Sequence, residues 1–243
     1  MSLHPITQTI YEFIDIFKEL GFDFYNGTEI DTEWKIFDAL RVSKDHPARD
    51  AQDTFWLPKN YERMEKSGLR ERILPRTHTS NSQIRCMNEN VPPIKIVSAG
   101  KVFRNEATDA THEAEFHQLE GLYVDKNVSM ADLKNTLTYA YKKFFGNDIQ
   151  VRFRSSYFPF VKPGFEVDIY WKNRWLEVCG GGLVHREVLQ NGFKDNQNMD
   201  KEEIKKYTGF AFGMGLERLV MLKYEIDDIR DLSTGDVRLS RWF

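Results

Sequence analysis

The chain has 243 residues, 41% of them hydrophobic and 14% aromatic, with 34 Lys and Arg against 37 Asp and Glu for a formal net charge of −3. That length supports a sizeable core in one large domain or two small ones, and an ordinary apolar content with only 8 Pro and 15 Gly excludes a disordered chain. No run approaches the ~18 consecutive apolar residues of a membrane span, no charged-then-apolar leader opens the chain, and Cys86 and Cys179 give neither a disulfide framework nor a CxxC metal pattern, so a reducing cytoplasm is the expected setting.

Ile6, Ile10, Phe13, Ile14, Phe17 and Leu20 recur at helical spacing between Pro5 and Gly21, which predicts a helix over about 5–20. From 22 to 75 the pattern is broken, with strand-like pieces, a loop around His46-Pro47-Ala48-Arg49 and a short charged helix over 59–73. Ile94 to Arg104 and residues 115–124 read as strands joined by the polar loop Asn105–Glu113. Leu133, Leu137, Ala140, Tyr141 and Phe144 mark a second amphipathic helix ended by Gly146. Strands follow at about 149–154, 165–171 and 174–179, with Lys172-Asn173 as a tight hairpin turn between the last two. Residues 190–207 read as a polar connector, Phe210–Phe212 as a last strand, and Gly213 to about Glu225 as a helix following it directly. Hairpin-joined strands with helices predict an α+β domain with an antiparallel sheet.

Four constellations carry chemistry. Arg104 and Glu106 are two apart, as are Phe116, Gln118 and Glu120, so each set shares one strand face. One face then offers a cation, a ring, an amide and carboxylates, a surface suited to a nucleotide plus an amine; the alternative is a solvated face of cross-strand ion pairs. In Gly209-Phe210-Ala211-Phe212-Gly213-Met214-Gly215-Leu216-Glu217-Arg218, glycines at a strand-to-helix junction admit close approach, and Arg218 adds a charge that can fork onto phosphate oxygens. Alternatively, Arg218 merely pairs with Glu217 or Asp227. Glu177 before Cys179-Gly180-Gly181-Gly182 suits a Mg²⁺ bridging phosphates, or else marks a bulge at a sheet edge. Phe158 and Phe160, two apart, suit one small apolar ligand or an ordinary core.

The order of these segments is more specific than any one of them. Phe103-Arg104-x-Glu106 followed by His112-x-x-x-Phe116 resembles motif 2 of the class II aminoacyl-tRNA synthetases, at about 100–121. Gly213-x-Gly215-x-Glu217-Arg218 resembles their motif 3, at about 209–224, and the helix led by Pro5 their motif 1, at about 4–25. Within that class the chain is similar to the phenylalanyl-tRNA synthetase α-subunit family. Further runs carrying this are His46-Pro47-Ala48-Arg49, Asp53-Thr54-Phe55-Trp56, Arg76-Thr77-His78-Thr79-Ser80, Phe116-His117-Gln118-Leu119-Glu120-Gly121, Tyr157-Phe158-Pro159-Phe160 and Gly209-Phe210-Ala211-Phe212-Gly213. The resemblance spans nearly the whole chain and implies a single catalytic domain over 1–243, an antiparallel sheet of about six strands flanked by helices, with ATP and phenylalanine on one face.

The same resemblance implies a two-step reaction: phenylalanine and ATP give phenylalanyl-adenylate and pyrophosphate, and the acyl group then passes to tRNA(Phe). Arg104 would bind the α-phosphate, Glu106 the adenine amino group, Phe116 the base, His112 the phosphates and Arg218 the γ-phosphate, with Gly215 in the ATP set. His78, Ser80, Gln118 and Glu120 would hold the ammonium and carboxylate of phenylalanine. Phe158 and Phe160 would meet its ring, with Gly181, Ala211 and Gly213 completing that pocket. Glu177 sits where the class places a Mg²⁺-binding carboxylate. No general base is required, because the attacking carboxylate is ionised at neutral pH and catalysis rests on positioning and positive charge. A net charge of −3 neither predicts nor excludes nucleic acid, so any tRNA contact would use a local patch or a surface from another chain. The family's assembly, two α with two β subunits, makes a β subunit the expected partner; motif 1 alternatively implies self-association.

Departures from the family are an absent N-terminal tRNA-binding arm, an absent C-terminal anticodon-binding domain, which disfavours the organellar form, Gln52 where some relatives place tryptophan, and the polar stretch 190–207. Two other readings remain: a paralogue that binds without aminoacylating, or a class II ligase for another amino acid. The intact set Arg104, Glu106, Phe116, Gln118, Glu120 and Arg218 argues against the first, and the Phe158/Phe160 pair with the small Ala211 favours a flat aromatic substrate over the second.

Overall fold

The computed structural model describes residues 3–49, 54–58, 61–64 and 70–235. Helix α1 (Pro5–Glu19) begins where Pro5 needs no amide partner, with His4 Nδ1 accepting from the Ile6 amide at 3.3 Å. It ends one residue before the expected boundary, and Gly21 at φ +80° turns the chain away. Strands β1 (Asp23–Phe24) and β2 (Ile30–Thr32) follow, then the single turn α2 (Glu33–Ile36).

The charged helix expected over 59–73 is corrected. Its described residues form strands β3 (Glu62–Met64) and β4 (Arg70–Pro75), which pair with each other, β4 pairing with β2 as well; residues 59–60 and 65–69 lie outside the described set. Strand pairing consumes the backbone groups a helix would have used, while Arg72 lies 4.2 Å over the Trp56 ring.

Helix α3 (Asn81–Glu89), which hydrophobic spacing did not announce, precedes β5 (Ile94–Phe103) and β6 (Glu115–Asp125). These two pair in register from Ile94↔Val124 to Phe103↔Glu115, with the expected loop between. Helix α4 (Met130–Phe145) has a capping box of Ser129 and Asp132 and stops at Gly146, φ +106°. Strands β7 (Val151–Phe158), β8 (Val161–Trp171) and β9 (Arg174–Val184) are longer than their hydrophobic runs, because glycines 164 and 180–182 continue the pairing. Lys172 and Asn173 at φ +45° and +65° make the expected two-residue hairpin turn.

The polar stretch 190–207 connects β9 to the last strand, and it also contributes to the core. Helices α5 (Arg186–Gly192) and α6 (Lys201–Ile204) bury Phe193, Met199 and Ile204, and Asn196 donates to the Met87 and Asn90 carbonyls at 3.0 and 2.8 Å. Strand β10 (Thr208–Gly215) runs on through Gly213–Gly215, so α7 (Leu216–Tyr224) starts three residues later than expected; Met214 pairs with Leu119 and is buried.

The sheet order is β1-β5-β6-β10-β9-β8-β7. From β5 to β7 the six strands are antiparallel, as expected; two-residue β1 adds a parallel seventh on β5. One sheet face packs on α1, α4 and α7 through Phe13, Phe17, Leu137, Phe212 and Leu219. The other packs on α2, α3 and α5 through Ile36, Ile84, Leu122, Val124 and Leu189. The inner part of the α1 stripe is buried within this chain: Phe13 stacks on Phe144 at 4.5 Å and Phe17 on Phe212 at 5.2 Å. Tyr11 and Leu3 are the large hydrophobic side chains that α1 and its approach leave exposed.

Candidate active site

Cross-strand register assigns each side chain to a face. On the α3 side of the sheet, Phe116, Gln118 and Glu120 of β6 lie across from Val102, Gly100 and Ser98 of β5 on one flank. On the other flank, Gln118 and Glu120 lie across from Gly215 and Gly213 of β10, and Gly213 from Gly180 of β9. The floor of this face is therefore glycine backbone, and a side chain at Gly215 would meet only open space. Ala211 shares the face, across from Gly182 and Leu122. Gly181 does not. It pairs with Phe212, and a Cβ there would lie 3.0 Å from the Phe212 Cβ on the opposite side of the sheet, so its place in the pocket wall is corrected.

Glu120 is almost fully buried and is held by donors that motif spacing alone does not single out. Thr79 Oγ1 donates to it at 2.9 Å, Gln83 Nε2 donates to its other oxygen, and Ser80 bonds it as well. Burial raises its pKa to about 7 against the pull of these donors and of Arg76. His78 Nδ1 accepts from the Ser80 amide at 3.2 Å. Burial, then the Arg104 charge, pushes His78 down to about 4, so the ring is neutral at physiological pH.

Phe158 and Phe160 stack with ring centroids 5.7 Å apart and are not ordinary core rings. They border a cavity of about 340 Å³ together with His78, Arg104 and Glu106. Arg104 donates to the Thr77 carbonyl at 3.0 Å and lies 4.9 Å over the Phe116 ring, with Glu106 3.9 Å away. Apolar rings, a guanidinium, a neutral imidazole and a carboxylate thus converge in one concavity of ligand size.

Arg218, in the first turn of α7, borders a different cavity of about 400 Å³, with His112. The two arginines expected on one triphosphate line separate cavities. Two observations relate the second cavity to the glycine floor: Arg218 follows Gly215 by three residues, and its charge acts on Glu177. Arg218 is exposed and forms no ion pair among the described residues, so it is not a partner of Glu217. Glu217 instead accepts the His117 amide at 2.8 and 2.9 Å and its ring Nδ1 at 2.8 Å, fastening α7 to β6. His112 is exposed and hydrogen-bonded to Asp109.

Glu177 flanks a register shift at Val178, inside the sheet rather than at its edge. Arg154 lies 3.9 Å away, and burial, then Glu166, raises the Glu177 pKa. Among the described residues no group of three or more His, Cys, Asp or Glu side chains could hold a metal ion. A lone carboxylate fits Mg²⁺ only where phosphate oxygens complete the coordination, which is how Mg²⁺ is commonly held. Gln52 and Asp53 lie outside the described residues.

A fold of this kind is found in the class II tRNA synthetases. The chain superposes on the pyrrolysyl-tRNA synthetase from Desulfitobacterium hafniense with a TM-score of 0.68, covering 95% of this chain and 73% of that one at 17% identity, a likeness of fold alone. The family model for the tRNA synthetases class II core domain (F) matches residues 1–243, and the chain belongs to that family. It is 46% identical over 240 residues to the phenylalanine–tRNA ligase alpha subunit of Ehrlichia ruminantium (strain Gardel), covering 98% of this chain and 65% of the relative. It is 47% identical over 253 residues to the protein of the same name from Dehalococcoides mccartyi (strain CBDB1), covering 99% and 69%. The chain thus spans about two thirds of the length of the relatives it matches.

Proposed function

We propose that this chain is the catalytic core of a phenylalanine–tRNA ligase, activating phenylalanine with ATP and passing the acyl group to tRNA(Phe). The observation that carries the reading is the cavity in which the stacked Phe158 and Phe160 meet His78 and Arg104. Phenylalanine sits with its ring on that pair and its ammonium at Gln118 and Glu120. Its carboxylate, already ionised, points toward Arg104, which binds the α-phosphate and stabilises the charge that develops there. Phe116 supports the adenine, Glu106 accepts from its amino group, and the polyphosphate crosses Gly215 toward Arg218 and His112. Glu177 is the carboxylate that would hold Mg²⁺, which neutralises phosphate charge when bound.

The expected partner is a second, β-type chain in a two-plus-two assembly, in keeping with the alpha-subunit names of the relatives. Both cysteines are free, buried thiols, in keeping with a reducing cytoplasm, and no helix among the described residues is long and apolar enough to cross a membrane. ATP–pyrophosphate exchange across the twenty amino acids, with and without the β-type chain, tests the reading. Exchange above background with phenylalanine alone is expected; preference for a non-aromatic amino acid would overturn it.

A further inference from the structure

Arg76 is among the largest fully buried side chains of the molecule, at 2% exposure, and no described carboxylate lies within ion-pair distance of it. Its Nε donates to the Lys101 carbonyl at 2.7 Å and its Nη1 to the Thr28 carbonyl at 3.3 Å. The guanidinium lies in a slot between two glycines. A Cβ on Gly100 would fall 2.4 Å from Nη2, and one on Gly27 would fall 3.2 Å from Nη1. Gly100 is the cross-strand partner of Gln118, and Ser98, two residues earlier, that of Glu120. The buried charge therefore lies over Gly100 of β5, on the same sheet face as the two side chains read above as the ammonium site and beside them. A lone buried guanidinium is costly unless something gains from its field.

We propose that Arg76 is a positioning residue of the amino-acid site: its guanidinium, seated over Gly100 beside Gln118 on the same sheet face, favours the carboxylate form of Glu120 that accepts the substrate ammonium. This rests on the reading of that face as an amino-acid site. Charged and titratable groups around Glu120 are Arg76 on the segment after β4 and Cys179 on β9, whose thiol burial pushes up to about 12 and leaves neutral; Glu29 and Asp31 act on Arg76 from the side of β2. Thr79, Ser80 and Gln83 supply neutral hydrogen bonds. Arg76 is thus the full positive charge among these groups that opposes protonation of Glu120.

The test is phenylalanine-dependent ATP–pyrophosphate exchange by the full, assembled enzyme between pH 6 and 9. In the unsubstituted enzyme the KM for phenylalanine falls as pH rises through about 7. Arg76→Gln moves that limb upward by about one pH unit, raising the KM for phenylalanine at pH 7 about fivefold while the KM for ATP stays within about twofold. Arg76→Lys, which keeps the charge, restores the limb. A folded Arg76→Gln enzyme with an unmoved limb, or with both KM values raised equally at every pH, overturns the proposal and makes Arg76 structural. Should Arg76→Gln fail to fold, Gly100→Ala displaces the guanidinium without removing it and must move the limb the same way; an unmoved limb again overturns it. Absence of phenylalanine-dependent exchange in the unsubstituted enzyme instead sinks the functional reading itself.

Discussion

On the proposed reading, Glu120 serves binding at a cost to folding. Its carboxyl titrates near pH 7 because burial disfavours the charge. An acid whose folded pKa is raised above its unfolded value contributes stability at low pH, and that contribution is lost as pH rises from about 4.5 through about 7. Amino-acid binding runs the other way, since an ammonium needs the ionised form. The KM for phenylalanine is therefore expected to fall between pH 6 and 8. Glu120→Gln should flatten that dependence and raise the KM at pH 8 by roughly 10²-fold, the cost of a charge-assisted hydrogen bond. Steady-state kinetics in both proteins decide it; an equal pH slope would remove Glu120 from the ammonium site. Arg218 invites a second substitution because it is exposed and without an ion pair among the described residues. Arg218→Ala should depress ATP-dependent activation about 10²-fold or more with the thermal midpoint unchanged. Near-normal exchange would leave the second cavity without a role in the reaction. Ala211 lies across from Leu122 and Gly182 on the sheet face that bears Gln118 and Glu120, and the proposed reading makes it a wall of the amino-acid pocket. Ala211→Gly should admit para-substituted phenylalanines in adenylate assays, and an unaltered substrate range would misplace that wall.

Among the elements, the junction of β10, α7 and β6 does the positioning. Glu217 is buried, and its carboxylate takes both the backbone and the ring of His117, so the helix bearing Arg218 is tied to the strand bearing Phe116 and Gln118. Glu217→Ala leaves those donors unsatisfied. It should cost about 1–3 kcal/mol of stability and raise the KM for ATP more than that for phenylalanine. Thermal unfolding together with the two KM values checks this, and unchanged ATP kinetics would reduce the contact to a staple. Element boundaries were readable where local chemistry decided them: Pro5 and Gly21 bracket α1, and the Lys172-Asn173 turn joins β8 to β9. They were not readable over 59–73, where pairing with β2 overrode a charge pattern that suits a solvated helix. Nor were they at Gly213–Gly215, where a buried Met214 across from Leu119 keeps the chain in the sheet.

For the molecule as a whole, charge balance bears on the largest substrate of the proposed reaction, tRNA. With 34 basic and 37 acidic residues the chain has no excess of positive charge to drive phosphate binding. Its own affinity for tRNA is expected to be weak and lost by moderate salt, rising when the β-type chain is added, as filter binding across a salt series would show. Tight, salt-resistant binding by this chain alone would contradict that. The amino-acid sequence by itself determined which chemical groups are present and in what order: the motif residues, the ends of α1 and α4 and the hairpin-joined strands depend on local spacing, while a six-stranded sheet was what the family resemblance implied. Only the tertiary structure decided which of these groups meet. It placed Arg104 with the Phe158–Phe160 stack and Arg218 in a separate cavity, turned Gly181 to the core side, and set Arg76, Thr79 and Gln83 around Glu120. Those outcomes turn on register, on one inserted residue at Val178 and on helix packing between segments far apart in the chain. A shift of a single residue in any of them sends a side chain to the opposite face, and no local pattern specifies it.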